Sequence, residues 1–228
     1  VSTYETYDGY EDVYIPPDQR MPFPVNIQKA FQQHARGRLL DVGCADGRKL
    51  AFILSLCPAI ENVVALEPSA GLMEKARAVF KDHGQVALHG VAVEDIDAIG
   101  IEPNSFDTIT LLEVIEHVAD QDALLKRLFA HLKPGGCLIC STPNRNIYAL
   151  HCRVSGERRD PTHVAELTYG ELRRLMARHA QGVSYYGFWP FMFLFRRCPW
   201  LSFLNALPGT KLFSRTIYSI AYRAGQSA

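Results

Sequence analysis

The 228-residue sequence has no surplus of charge of either sign: 24 Lys and Arg face 24 Asp and Glu, for a formal net charge of zero. That excludes a strong overall field for drawing in nucleic acid or an acidic membrane, local patches aside. No apolar run reaches the roughly 20 residues of a membrane-spanning helix. There is no internal repeat and no low-complexity linker, which excludes a solenoid. The six cysteines stand at irregular places, 44, 57, 137, 140, 152 and 198. Cys137 and Cys140 form a C-x-x-C, but "GGCLICSTP" reads as a strand. Residues three apart on a strand point to opposite faces, so a shared zinc is not expected. Reduced thiols and a cytoplasmic location are the expectation. The opening "VSTYETYDGYEDVYIPP" lacks the basic and apolar regions of a signal peptide, and its first residue, Val, reads as that of a trimmed or processed chain.

What is present describes a globular protein. Hydrophobic residues make up 48% and charged residues 21% of a length that suits one ordinary domain with an added segment. The pattern alternates between strand and helix. "VNIQKAFQQHA" is helical, "RLLDVG" a strand, "RKLAFILSLC" a helix, "ENVVALE" a strand and "SAGLMEKARAVFKDH" a helix. "QVALHGVAV" is a strand, and "SFDTITLL" is a strand running into the helix "EVIEHVADQDALLKRLFAHL". "KPGG" turns into the strand "CLICSTP", followed by the helix "TYGELRRLMARHA" and the strands "GVSYYGF" and "RTIYSIAYRA". This rhythm predicts a parallel sheet with helices on both faces, its last two strands pairing antiparallel at the edge.

Between those last strands lies "WPFMFLFRRCPWLSFLNALPGTKLF" (189–213), the most apolar and aromatic part of the chain. It reads as a helical flap completing the core, a greasy acceptor pocket, a dimer contact or a membrane-surface helix. A peripheral membrane association therefore stays open, and Arg196 and Arg197 would suit a lipid headgroup.

"LLDVGCADGRKL" (39–50) follows a strand and opens a helix. Gly43 and Gly47 let the backbone turn sharply and approach a ligand. Glu67, with Pro68 beside it, stands at the predicted tip of the next strand, placed to accept both protons of a ribose diol. Dinucleotide loops need G-x-G-x-x-G for a pyrophosphate; this loop reads Gly43-Cys44-Ala45-Asp46-Gly47, with Asp41 close by. Carboxylates repel a pyrophosphate but suit an ammonium and a sulfonium. The expected cofactor is S-adenosylmethionine (SAM), not NAD.

Over residues 36–180 the sequence resembles the class I SAM-dependent methyltransferases. "LLDVGCADG" is similar to their first motif, Glu67 to the ribose-binding acid, and "VAVEDI" (91–96) to the adenine segment, with Val93 and Glu94 near the base. "FDTITLLEVIEHV" resembles the fourth motif, with Leu112 beside the cofactor, and "LKPGGCLICSTPNR" the turn into the fifth strand. Two positions depart: the middle glycine is Ala45, and the adenine-segment aspartate is missing, with Val91 and Ala92 there. A closer resemblance is to the quinone-pathway O-methyltransferases, carried by Glu113/Glu116/His117, "STPNRN" (141–146) and Thr162-His163. An E-x-x-E-H with a later histidine also marks the RNA 3′-terminal ribose methyltransferases, where the four groups bind a divalent ion.

"LLEVIEH" (111–117) places Glu113, Glu116 and His117 at i, i+3 and i+4, one face of a helix. Three readings stay open. The acids can be a helix start stabilised by its dipole, by about 0.3–1 kcal/mol each. His117 and His163 can be an acid/base pair taking the proton of an acceptor hydroxyl, with Glu113 facing the cleft. Or Glu113, Glu116, His117 and His163 can hold Mg²⁺ or another divalent metal. His163 lies in the loop "RRDPTHVAELTYGEL" (158–172), where Thr168 caps the next helix with Glu171 three residues on. Asn144 and Arg145 stand where acceptor contacts or a turn cap are expected. Tyr4, Tyr7, Tyr10 and Tyr14 suit a lid with cation–π contact to a sulfonium, and Arg20 suits the cofactor carboxylate.

The expectation is a Rossmann-like seven-stranded α/β sheet. Residues 1–35 form a lid and leading helix, and 36–228 the SAM-binding core with the 189–213 insertion. The expected reaction is methyl transfer from SAM to an oxygen of a small phenolic, lipid-like or natural-product acceptor. The rivals are an RNA ribose methyltransferase, which neutral charge disfavours, and a SAM-binding protein without catalysis.

Overall fold

The computed structural model describes residues 23–187 and 210–225. In chain order the elements are α1 (Val25–His34), β1 (Gly37–Val42), α2 (Arg48–Leu56), β2 (Ile60–Leu66), α3 (Ala70–Phe80) and β3 (Val86–His89). A 3-10 segment (Val93–Ile99), β4 (Phe106–Leu112), a 3-10 turn (Ile115–His117), α4 (Gln121–His131) and β5 (Leu132–Pro143) follow. The remainder is α5 (Arg145–Ser155), α6 (Tyr169–Met176), β6 (Gly182–Tyr186), α7 (Thr210–Phe213) and β7 (Thr216–Tyr222).

The strands form one seven-stranded sheet in the order β3-β2-β1-β4-β5-β7-β6. β1 to β5 pair in parallel, while β7 runs antiparallel to both β5 and β6. The antiparallel pairing of the last two strands is as expected, but the final strand is internal and β6 takes the edge. The reason lies in β7 itself: Ile217 to Ala221 are all buried, which suits a central strand covered on both faces.

The period-two alternation of the strands divides the core. Leu40, Val42, Ile109, Leu111, Leu138 and Cys140 pack on one face with α4 and α6 residues such as Leu125, Leu128, Leu172 and Met176. Leu39, Val63, Ala65, Cys137, Ile139 and Ile220 pack on the other with Phe31, Leu50, Ile53 and Met73 of α1, α2 and α3. Cys137 and Cys140 thus fall on opposite faces, as strand geometry demands. In α1, Ile27 and Phe31 lie one turn apart and are fully buried, each contributing about 1.5–3 kcal/mol.

Local capping sets several helix starts. Asp120 accepts from Ala123 N at 2.9 Å, and Thr168 and Glu171 form a reciprocal capping box at α6, as the sequence indicated. Two expectations are corrected. The strand predicted over 85–93 stops at His89, and Val93 opens a 3-10 segment. The helix predicted from Glu113 onward is broken: Glu113 has φ 59°, Ile115–His117 is a single 3-10 turn, Val118 is extended, and α4 begins only at Gln121. Glu113, Glu116 and His117 therefore do not share a helical face.

Among the described residues no helix is long and apolar enough to cross a membrane. Tyr4, Tyr7, Tyr10, Tyr14, Arg20 and residues 189–209 lie outside the described residues.

Candidate active site

The site stands at the carboxyl ends of β1, β2 and β4, where open α/β sheets bind ligands. The β1–α2 loop is held by Leu66, whose carbonyl accepts from both Gly43 N (2.8 Å) and Cys44 N (3.0 Å). Gly43 has φ 74°, and a Cβ there would come within 2.5 Å of Val114 Cγ2. This close approach explains the glycine better than turn propensity does. Ala45 has φ 50°, a left-handed conformation that costs an L-residue about 1–2 kcal/mol. Its N–H donates to Glu67 Oε2 at 2.9 Å, and Ser69 N donates to Glu67 Oε1 at 2.9 Å. Both Glu67 oxygens are thereby fixed, each retaining acceptor capacity for a hydroxyl. Burial raises the Glu67 pKa, and the two backbone N–H groups oppose that rise.

The cleft is lined by Gly43, Ala45, Glu67, Pro68, Val93, Leu112, Glu113 and His117, together with residues sequence reasoning missed, notably Lys49, Val114 and Val118. Its empty space, open mouth included, is about 830 Å³. Of the other cofactor candidates, Asp41 is buried beneath the loop, where Thr110 Oγ1 donates to its Oδ1 at 2.5 Å. Burial pushes the Asp41 pKa up to about 6 against the lowering effect of Thr110 and Lys49. The Cys44 side chain packs into the core, and burial followed by the charge of Asp41 raises its thiol pKa. Gly47, with φ 81°, shapes the start of α2. Glu94 is exposed and gives its carbonyl to Arg127.

Beyond Leu112 the polar cluster divides. Glu113 Oε1 accepts from Ser141 Oγ at 2.6 Å, and Glu113 N donates to Ser141 O at 3.1 Å. Glu116, His117 and His163 converge instead: one donor atom from each lies within 4.8 Å of the others, and Glu113 does not join them. The two imidazole centroids are 4.9 Å apart. Glu116 is fully buried; Oε2 accepts from Thr142 Oγ1 at 3.0 Å, while Oε1 has no hydrogen-bond partner among the described residues. Burial, and after it the Glu113 charge, raise the Glu116 pKa well above the usual carboxylate range. His117 Nδ1 lies 3.1 Å from the Thr162 carbonyl, an acceptor only, so Nδ1 carries the proton and Nε2 is the basic nitrogen. Burial, then the nearby His163, lower the His117 pKa, which keeps the ring neutral.

The loop 158–167 is pinned to this cluster. Ala165 N donates to Glu116 O at 2.9 Å, and Gln121 Nε2 bridges Ile115 O and Ala165 O at 2.9 and 2.7 Å. Arg145 braces the loop through Glu166 O and the Glu171 carboxylate. Asn144 is buried and donates to Leu212 O at 3.1 Å. Asn144 stands at the N-cap of α5, as the turn-cap alternative has it, though its side chain makes no cap bond. Chemically, the cluster can bind a cation through one carboxylate and two imidazoles, or accept a proton from a hydroxyl placed beside His117.

A family model described as "Methyltransferase domain" matches residues 22–186. The ubiquinone biosynthesis O-methyltransferase of Xanthomonas euvesicatoria pv. vesicatoria is 37% identical over 123 residues, 54% of this chain and 49% of that protein. The protein of the same description from Nitrobacter winogradskyi is 38% identical over 130 residues, 52% of this chain and 46% of its own length. The chain spans about half the length of the curated relatives it matches. Among solved structures, the putative methyltransferase in complex with the Haloferax volcanii Trm112 methyltransferase activator superposes with TM-score 0.66 at 17% identity, covering 98% of both chains. An S-adenosylmethionine-dependent methyltransferase from Mesorhizobium loti gives TM-score 0.60 at 20% identity, over 87% of this chain and 96% of that one. The methyltransferase domain of bacterial-CtHen1-C gives TM-score 0.61 at 17% identity, over 88% and 95%. At such identities these structures establish the fold.

Proposed function

The chain belongs to the methyltransferase-domain family, and from that premise we propose that it methylates an oxygen of a small hydrophobic acceptor, phenolic or quinol-like, with SAM as donor. One observation carries the reading: Glu67, set for a ribose, and His117, set as a neutral imidazole, line the same cleft. The ubiquinone O-methyltransferase relatives support oxygen as the acceptor atom.

The bound cofactor would supply a methyl group already activated by a sulfonium. Glu67 would hold the ribose hydroxyls, the Gly43–Gly47 backbone would allow close approach, and Val91, Ala92 and Val93 would flank the base. Lys49 is the one Lys or Arg among the described residues lining the cleft, and would receive the cofactor carboxylate. The acceptor hydroxyl is the weak partner, because it must be aligned and must lose its proton. His117, with Nε2 as its basic nitrogen, would accept that proton. Val114, Val118 and Leu112 would exclude water around the transfer.

The same donors fit a divalent ion. The buried Glu116 Oε1 lacks a partner among the described residues, and a cation would supply one. Two imidazoles and one carboxylate suit Zn²⁺, Mn²⁺ or Fe²⁺ better than Mg²⁺, which prefers an all-oxygen shell. Such an ion would lower the pKa of a hydroxyl beside it.

The test is a methyl-transfer assay with isotopically labelled SAM and a panel of catechols, hydroquinones, anilines and small RNAs, with products located by NMR. O-methylated phenols, lost about 100-fold or more in His117→Ala, are expected. Methylation confined to nitrogen, carbon or RNA 3′ ends would overturn the acceptor assignment. Cofactor binding without S-adenosylhomocysteine formation would leave a binding protein only.

A further inference from the structure

Glu166 lies in the 158–172 loop without a role assigned from the sequence, yet its carboxylate is 4% exposed and lies against the cluster. Its Oε1 is 2.9 Å from His163 Nδ1, and its Oε2 accepts from Arg159 Nη2. Its own carbonyl is held by Arg145 Nη1 at 3.3 Å, and the next residue, Leu167, accepts from Arg145 N at 2.9 Å. The position is therefore fixed through both side chain and main chain. A carboxylate gripped by a guanidinium is an acceptor toward the imidazole, so His163 Nδ1 must donate.

We propose that Glu166, held by Arg159, is a positioning residue: it keeps the His163 proton on Nδ1 and leaves Nε2, which has the Asp160 carboxylate at 3.8 Å, as the basic nitrogen of a ring that stands beside Glu116 and His117. The inference rests on the function proposed above only in taking His163 as a working group. The same loop then sets both imidazoles. Thr162 gives its carbonyl to His117 Nδ1, and Glu166 gives its carboxylate to His163 Nδ1. Two rings 4.9 Å apart are thus placed in the same tautomer by residues flanking His163. For a ligand that needs the His163 Nε2 lone pair, this removes the alternative tautomer before binding. Outer groups of this kind change metal affinity by about 10–100-fold when mutated.

Glu166→Gln keeps the shape and makes the consequence readable. An amide NH₂ facing Arg159 sets donor against donor. The amide therefore turns its NH₂ to His163 Nδ1, which must accept, and the proton moves to Nε2. Long-range ¹H–¹⁵N spectra of histidine-labelled, metal-stripped protein at about pH 8 read the tautomer directly. The expected result is Nδ1–H for His163 in the wild type and Nε2–H in Glu166→Gln. Zn²⁺ affinity by calorimetry is expected to fall about 10–100-fold in the variant. A wild-type His163 in the Nε2–H form overturns the proposal without any variant, so a failure of the variant to fold leaves it testable. An unchanged tautomer in folded Glu166→Gln also overturns it. A tautomer switch in a protein that binds no Zn²⁺ supports the positioning role and removes Zn²⁺ from the proposed function.

Discussion

Ser141 and Glu113 are joined twice: the Ser141 hydroxyl donates to Glu113 Oε1 at 2.6 Å, and Glu113 N donates to the Ser141 carbonyl at 3.1 Å. The pair ties the tip of β4 to the tip of β5 where the chain leaves the sheet with φ 59° at Glu113. This link accounts for Glu113 standing apart from Glu116 and His117. It also leads to the first prediction.

Glu113→Ala and Glu113→Gly both lose the Ser141 hydroxyl bond, but only glycine adopts the left-handed backbone without strain. Glu113→Gly should be more stable than Glu113→Ala by about 1 kcal/mol in urea unfolding. Equal stabilities would mean that the left-handed turn is not kept in solution.

Gly43→Ala places a methyl group 2.5 Å from Val114 Cγ2 at φ 74°. S-adenosylhomocysteine affinity, measured by calorimetry, should fall at least about 10-fold through loop displacement, an effect equivalent to 1.4 kcal/mol. Adding Val114→Ala should restore only the steric part and leave the backbone strain. Wild-type affinity in Gly43→Ala would remove this loop from the cofactor site.

Asp41 makes a pH-dependent contribution to stability. Its ordinary value is 3.8, and burial raises it to about 6 in the folded chain. The folded protein therefore holds this proton more tightly than the unfolded one, and stability from this group is lost as pH rises from about 4 through 6. Asp41→Asn keeps an acceptor for Thr110 and has no such titration. Between pH 4 and 6 the wild type should lose about 2 kcal/mol relative to Asp41→Asn, the larger part of about 3 kcal/mol over the whole titration at 1.36 kcal/mol per pKa unit. Parallel stability curves for the two proteins would contradict the assignment.

Zn²⁺ or Mn²⁺ at a hundredfold excess over its Kd should raise the melting temperature of the wild type by about 5–10 °C. Glu113→Ala should keep that increase, whereas Glu116→Gln and His163→Ala should lose it. A wild-type melting curve indifferent to both ions would exclude the cation, and loss of the shift in Glu113→Ala would bring that residue back as a ligand.

Short-range signals in the sequence were reliable. Thr168 and Glu171 sit three apart and form their capping box because both partners belong to one helix turn. The glycine loop and Glu67 were legible because strand, turn and helix succeed one another directly. Their mutual link, Ala45 N to Glu67 Oε2, joins residues 22 apart and needed the parallel pairing of β1 with β2. The break after Glu113 was not legible: "EVIEHVADQDALL" carries helical spacing, and the left-handed turn is imposed by the bond to Ser141 on another strand. α5 escaped notice because it buries only Tyr148 and Cys152 and exposes Leu150 and Val154, which blurs its apolar stripe. Glu166 looked like one more loop acid, since nothing local signals that Arg159 and His163 enclose it.

The place of β7 between β5 and β6 bears on how the chain reaches its folded state. β6 is made before β7 and, among the described strands, pairs only with it, so β6 has no described strand neighbour until residues 216–222 arrive. Until then β5 presents an unpaired edge rich in apolar residues, the kind of template on which chains aggregate. Closing the sheet requires contacts such as Ile139 with Ile220, far apart in sequence, and non-local pairing of this sort is slow. A chain cut before residue 216 would keep the whole Gly43–Glu67 loop system and still be expected to accumulate in inclusion bodies.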